Sequence, residues 1–385
     1  WFTRTSVRAD AQFAPVGATF EVMDSRAFGA GDDGLADTGT VNATDVVQGF
    51  ATCSLGTLGD GRHRLLAGRY TMSLGGRRFV IRNVYRNTVN NFTGVDWLWQ
   101  NDDGDAVRAF WTMPVRRRPS DVPSLRDNEF EWDDQDLDLQ FPGVHATRVL
   151  EGRTIFEAFV FGVFEDDAGT TVREFVTPGM RLFRPASRGT WFGEFEGAFQ
   201  FGRSRASAAG PSLDHAAYFL HGSVGWQWDL AWVPTVRLAY DFATGDRDPT
   251  DGENNRFDRL FGAPRFEYGP TGLWGAMQRS NLSSPELRVS VRPTATTWVM
   301  VNYRDFRLAA SRDQWVGSGV RDPSGAAGDH VGQQLELRAR WDVLPQNMHV
   351  EIGGAYLFGG TFLERAPNAR SGDSRYGYVE MIWVL

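Results

Sequence analysis

Apolar and polar residues alternate along much of this chain with a period of two. Thr3, Thr5, Val7, Ala9, Ala11 and Phe13 fall on one side of an extended chain, and Arg4, Ser6, Arg8, Asp10 and Gln12 on the other. That period marks a strand with one apolar face. A second run follows Pro15, with Ala18, Phe20 and Val22 opposite Thr19, Glu21 and Met23. Further runs are predicted near residues 46–55, 65–72, 93–99, 107–115, 144–150, 155–164, 172–183, 191–202, 216–226 and 236–242. Beyond a long interruption come 287–292, 298–308, 335–341, 350–358 and 377–385. The total is about 17 strands, many as long as the roughly 9 to 11 residues that a tilted strand needs to cross a bilayer.

The connections sort into two kinds. Short turns at Pro15, at Gly59–Gly61 and at 101–105 alternate with longer polar loops at 29–42, after residue 72, at 116–138 and, longest of all, at 244–282. A loop of about 38 residues is out of scale for a compact soluble domain, where connections run to about 4 to 6 residues, unless it has a function of its own. This asymmetry predicts a single all-β domain over residues 1–385, a transmembrane antiparallel β-barrel with short periplasmic turns and long extracellular loops. In hydrocarbon every backbone donor and acceptor needs a partner, so such a sheet closes. Even strand numbers being usual, one upward strand is expected ahead of Trp1, for about 18 in all. The loop 244–282 is then a candidate lid, with Phe257, Phe261, Phe266 and Trp274 as its packing anchors.

Composition narrows the alternatives. The longest apolar run, 158–164, is far short of the roughly 18 residues of a membrane helix. With 43 glycines and 13% aromatic residues the chain favours strands and turns over helix. Trp97, Trp99, Trp111, Trp191, Trp226 and Trp383 stand near strand ends, where a bilayer collects aromatics. All 40 basic residues are arginine and the net charge is −8, which argues against a nucleic-acid partner. The single cysteine, Cys53, forms no internal disulfide and reads as a small strand residue.

Parity assigns faces. Trp191, Phe195, Phe199 and Phe201 point to lipid and Glu194, Glu196 and Gln200 inward; Gln334, Glu336, Arg338 and Arg340 share the inner face of their strand. The same rule places Arg69, Asp96, Arg108, Arg173, Arg181, Arg237, Asp241, Arg288, Arg292, Arg304 and Glu380 in the lumen. The rule has force because an arginine on the lipid face near the midplane costs about 2 to 4 kcal/mol. Two readings of this charged, wet interior stand side by side. One is a pore that passes an anionic solute along its arginines; in the other, the charges pair across strands and keep the interior solvated.

Other chemistry is weaker. Asp246, Asp248 and Asp251 lack the ligand spacing of an EF-hand, so no metal is expected there. His145, His215 and His221 stand beside no nucleophile at a defined spacing, so neither an enzyme nor a cofactor is expected. Arg116, Arg117 and Arg118, at the outer end of a strand, suit either lipopolysaccharide phosphates or a snorkelling girdle.

Several stretches, in order, resemble the alginate-export family of bacterial outer-membrane porins. LLAGRYTMSLGGRRFVIRNVYRNTVNNFTGVDW is similar to its Gly-Arg-Gln strand and the Arg/Trp/Asn connection after it, and ATGDRDPTDGENNRFDRLFGAPRFEYGP to a loop that runs from a Thr-Gly-Asp step to Tyr-Gly. VGQQLELRARW resembles a Gly-Gln-Glu-Leu-Asp-Leu strand and YVEMIWVL the closing strand. The chain departs from the pattern with Tyr70 after Arg69, with no lumenal Lys and with a terminal Leu385. The resemblance implies an 18-stranded monomeric barrel in the outer-membrane lipid, with an electropositive constriction that passes an anionic polysaccharide, gated by a long outer loop and a periplasmic turn. A periplasmic export scaffold is a further expected partner. It puts Arg69, Arg237, Asp241, Arg338 and Glu336 at lumenal places. The alternatives are a general or small-anion porin on the same scaffold and, from another class, a β-rich carbohydrate-binding or lyase protein.

Overall fold

The computed structural model describes residues 1–29, 36–166, 172–205, 210–263, 265–275 and 277–385. Its main sheet has 18 strands, one of which is the two-residue Glu253–Asn254, leaving 17 long ones. The first six are β1 (Phe2–Phe13), β2 (Val16–Ala27), β3 (Asn42–Leu58), β4 (Gly61–Tyr70), β5 (Phe92–Asn101) and β6 (Ala106–Pro114). The next six are β7 (Leu139–Val149), β8 (Ile155–Glu165), β9 (Val172–Arg184), β10 (Thr190–Arg205), β11 (Leu213–Gln227) and β12 (Thr235–Ala243). The last five are β13 (Leu282–Thr294), β14 (Thr297–Arg307), β15 (His330–Leu344), β16 (Met348–Gly359) and β17 (Ser374–Trp383).

Each long strand ladders antiparallel with its neighbours in sequence, so the sheet is a continuous meander. β1 pairs only with β2 and β17 only with β16 among the described residues; the number being odd, these two edge strands run the same way. The strand expected ahead of Trp1 lies outside the described residues. Among the described residues helix is confined to short turns such as Val122–Arg126 and Thr361–Arg365, and none is long and apolar enough to cross a membrane.

Period two decides what faces where. Outward positions carry Phe199, Val224, Leu238 and Leu337, each more than half exposed, as a surface that meets lipid must be. Trp191 lies directly across from Trp226 at the short-turn end of β10 and β11, and both are exposed, as an interfacial belt requires.

The inner face is less uniform than a charged, wet lumen. Towards the long-loop end it carries Phe110, Phe141, Phe159, Phe161, Phe175, Phe219 and Phe306, all buried in one apolar cluster. An apolar inner face stays out of water only if something covers it. Here the cover is chain: the connection 71–91 contributes Phe79 and Val80, and the connection 244–281 contributes Phe257, Leu260, Tyr268 and Met277. Two of the outer loops thus fold into the barrel and give it a core.

Candidate functional site

The two inserted loops act as one body because they are bonded to each other. Val80 and Phe261 form a parallel β-bridge, and the Phe261 amide donates to the Phe79 carbonyl at 2.9 Å. Phe79 packs on Phe159 of β8 at 5.5 Å, Phe219 of β11 at 5.6 Å and Phe257 of its partner loop at 5.9 Å between ring centroids. Phe261 stands edge-on to Phe141 of β7 at 4.8 Å and to Phe92 of β5 at 5.4 Å. Offset and edge-to-face aromatic pairs contribute about 0.5 to 1.5 kcal/mol each beyond their buried area.

Inward glutamines tie the longer loop to the wall. The Gln200 carboxamide donates to the Asp258 carbonyl and accepts from the Asp258 amide, both at 2.8 Å. Gln334 accepts from the Trp274 indole at 2.7 Å and donates to the Tyr268 carbonyl at 3.1 Å. Phe257, Phe261 and Trp274 therefore anchor the loop as expected, while the side chain of Phe266 lies outside the described residues.

Next to the phenylalanines on the wall strands lies a layer of ion pairs. Arg181 of β9 holds Glu157 of β8 and Glu194 of β10, each at 2.6 Å. Arg78, at the tip of loop 71–91, reaches the same Glu194 at 2.6 Å, contacts Glu196, and meets Glu267 of the other loop at 2.6 Å. Glu267 is also held by Arg279 from its own loop. On the next strands Arg304 of β14 bonds Asp241 of β12 at 2.9 Å and contacts Glu286 of β13, which in turn takes Arg237 at 2.6 Å and Arg288 at 3.2 Å. His221 of β11 joins the two groups through Asp241 at 2.8 Å. Carboxylates Glu157, Glu194, Glu196, Asp241, Glu267 and Glu286 are thereby matched by Arg78, Arg181, Arg237, Arg279, Arg288 and Arg304. The layer is buried and balanced in charge, which is how charges persist away from water.

Most of the lumenal residues expected from parity sit in or beside this layer. Arg108 pairs with Asp96 at 2.5 Å, Arg338 with Glu336 at 2.8 Å, Arg173 with Glu165 at 2.8 Å, and Glu380 lies 3.7 Å from Arg265 of loop 244–281. Arg340 pairs with Asp342 at 2.9 Å, where both side chains are about two-fifths exposed.

Two expectations are corrected. Arg69 alternates with the inward Leu66 and Tyr70 and so lies on the other face of β4; there the loop 115–138 covers it, with Asp45 at 3.3 Å and the Gln135 carboxamide as partners. Arg292 follows a register irregularity after Val291 at the short-turn end, where it is exposed and outside the ion-pair layer. The outer-rim arginines are likewise committed to groups of the protein itself. Arg116 binds Asp136 at 2.8 Å and Arg118 binds Asp134 at 3.0 Å, while Arg117 donates to the carbonyls of Thr38 and Val89. Asp246 is not solvated as its loop position suggested; it is buried, with its amide on Asp313 at 2.9 Å. The one His/Asp/Glu grouping with metal-like spacing among the described residues, His221, Asp241 and Glu267, has both carboxylates already held by arginine.

Under loop 115–138, Asp133 is buried against Asp45 of β3 and accepts from the Asn42 side chain and the Arg118 amide, each at 2.8 Å. Burial first, then the hydrogen bond and charge of Asp45, push the Asp133 carboxyl up to about 8. Docked, Asp133 keeps a proton that the released loop gives up near 3.8. Docking is therefore fully favoured below that value and weakens as pH rises towards about 8. Between about pH 5 and about pH 9 the melting temperature is expected to fall more in the wild type than in Asp133→Asn, as calorimetry of the detergent-solubilised protein would show.

A comparison with family models matches the chain to alginate export over residues 2–376. The chain belongs to the alginate-export family. Among solved structures the barrel is similar to Acinetobacter baumannii OccAB4 (TM-score 0.59, 12% identity, covering 99% of this chain and 92% of that one). It is similar to Pseudomonas aeruginosa OccK2 (OpdF) in complex with glucuronate (0.58, 12%, 100% and 92%) and to Pseudomonas aeruginosa OpdK with vanillate (0.58, 13%, 99% and 93%). At these identities the likeness shows the fold. A comparison with curated protein sequences finds no match. Family and fold together make this alginate-export family member a bacterial outer-membrane channel and not an enzyme.

Proposed function

We propose that this family member carries an anionic, carboxylate-bearing solute, an anionic polysaccharide of the alginate type, and that loops 71–91 and 244–281 form its closed gate. The observation that supports this reading is the ion-pair layer. Arg78, Arg181, Arg304 and Arg338 each hold a carboxylate of the protein itself, at 2.6 to 2.9 Å for the wall-facing pairs of Arg181, Arg304 and Arg338. A guanidinium fork that binds one carboxylate can exchange it for another of the same geometry, so a passing sugar acid has successive sites once the loops lift. One structural neighbour holds glucuronate, a sugar acid of this kind. A periplasmic export scaffold would meet the short-turn face; at the opposite rim Arg116, Arg117 and Arg118 are each bonded to groups of the protein itself.

The test is planar-bilayer recording under a salt gradient. Anion-selective current is expected, with the reversal potential moving towards neutral selectivity in Arg338→Glu; identical selectivity in the two proteins sinks the arginine pathway. The small-anion reading is favoured instead if an oligomer of uronic acid leaves the current of the open channel unblocked while free glucuronate passes.

A further inference from the structure

At the short-turn mouth one arginine stands apart from the carboxylates. Arg64 of β4 is exposed and has no hydrogen-bond or ion-pair partner among the described residues. It borders a cavity of about 560 Å³ whose lining includes Gln12, Thr52, Ser54, Arg62 and Gln100. The ladder register puts this cavity on the lumenal wall. Thr52 is opposite the inward Leu66, Ser54 opposite Arg64, and Arg62 opposite Gln100, two and four residues from positions already seen to face in. Arg62 turns away to the rim, where it meets Asp102 at 2.7 Å with both side chains largely exposed. Asp102 also lines the cavity but is engaged by Arg62, so Arg64 is the cation there without a carboxylate partner of its own among the described residues.

Gly17 keeps one of the neutral lining groups in place. A Cβ at this position would stand 2.5 Å from Gln12 Oε1 and 2.8 Å from Thr52 Oγ1, so the missing side chain is what lets the Gln12 carboxamide lie beside Thr52 over β2. The volume falls within the range of about 300 to 1,000 Å³ typical of small-molecule sites, in which a few polar groups fix the ligand. An isolated exposed guanidinium binds a carboxylate weakly, but a fork with hydroxyl and carboxamide partners around it selects for a ligand bearing both acid and hydroxyls.

We infer that this cavity is a docking site for a carboxylated sugar unit at the short-turn mouth, with the Arg64 guanidinium on the carboxylate and Gln12, Thr52, Ser54 and Gln100 on the hydroxyls. The inference rests on the proposed solute class. It adds a first binding step outside the gated layer, open to solute while the two loops are closed. Sodium glucuronate is the probe, titrated calorimetrically into the whole detergent-solubilised protein, with glucose and acetate as controls. Saturable glucuronate binding is expected in the wild type, weakened on the order of tenfold in Arg64→Gln and less in Arg64→Lys, which keeps charge but loses the fork. Gln100→Leu weakens it too, and glucose and acetate bind weakly throughout. No saturable binding to the wild type, or equal affinity in wild type and Arg64→Gln, overturns the site. These outcomes separate from the transport reading: a mouth that binds glucuronate in a barrel without anion selectivity keeps the site and removes the pathway, and an anion-selective barrel indifferent to Arg64→Gln does the reverse.

Discussion

Arg78→Ala is expected to raise the resting conductance of the channel and lower its melting temperature together. The Arg78 side chain is 2% exposed and contacts Glu194, Glu196 and Glu267, which come from the barrel wall and from the second loop. Truncation leaves three buried carboxylates; among the described residues Glu196 has no other arginine contact and Glu194 and Glu267 have one each. Removing one partner from a buried pair typically costs about 3 to 5 kcal/mol, because the remaining charge has lost both water and its counter-ion. The cheapest relief is for the loops to withdraw and let water in, which is the open channel. Single-channel recording of wild type and variant reads the conductance, and thermal melting in the same detergent reads the stability. Arg78→Lys should fall between, since a single ammonium does not span partners on two elements. A variant that melts lower yet stays as closed as the wild type would remove the gate from the proposal and leave Arg78 a structural residue.

Gly262→Ala is expected to open the same gate without altering any charge. A Cβ at Gly262 would overlap the carbonyl oxygen and carbon of Arg78, and these are backbone atoms of the other loop, with no rotamer to escape into. The loops must part, which breaks the hydrogen bond from Phe261 to Phe79 and lifts Phe261 from Phe92 and Phe141. Overpacking of this kind usually costs about 1 to 3 kcal/mol, more where backbone has to move. Because the arginines and carboxylates are all retained, conductance should rise while the reversal potential stays at the wild-type value. Conductance unchanged from the wild type would mean that the two loops do not move as a pair.

Both variants fall in segments that had no period to read. Parity works where a ladder enforces it. Counting along each strand gives Arg108, Arg181, Arg237, Asp241, Arg288, Arg304, Glu336 and Arg338 one face, and in the ladders all eight lie at buried or half-buried positions. Arg69 is odd-numbered where Leu66 and Tyr70, which share the inner face, are even, so the same count puts it on the opposite side. Glu286 and His221 carried the same inward parity and were passed over, since nothing local marks a lone carboxylate or imidazole as the partner of residues on other strands. Arg78, Glu267 and Arg279 had no signal of this sort.

The sequence by itself determined the number of long strands, their meander, the two unequal sets of connections and the lipid-facing side of β10, where Trp191, Phe195, Phe199 and Phe201 are exposed as parity requires. These features are local: a two-residue period and a turn are complete within about ten residues of chain. Only the tertiary structure decided what fills the barrel. On β8 the inward Phe159 and Phe161 alternate with the outward Phe156, Val160 and Phe164, so both faces are apolar and the pattern gives no sign of which meets lipid and which meets folded chain. Phe79 and Phe257, far apart in sequence, meet on that inner face, and Arg78 and Glu267 meet beside it. Their contacts follow from the tertiary arrangement that brings distant loops against one inner face, and a periodicity confined to each strand does not encode it.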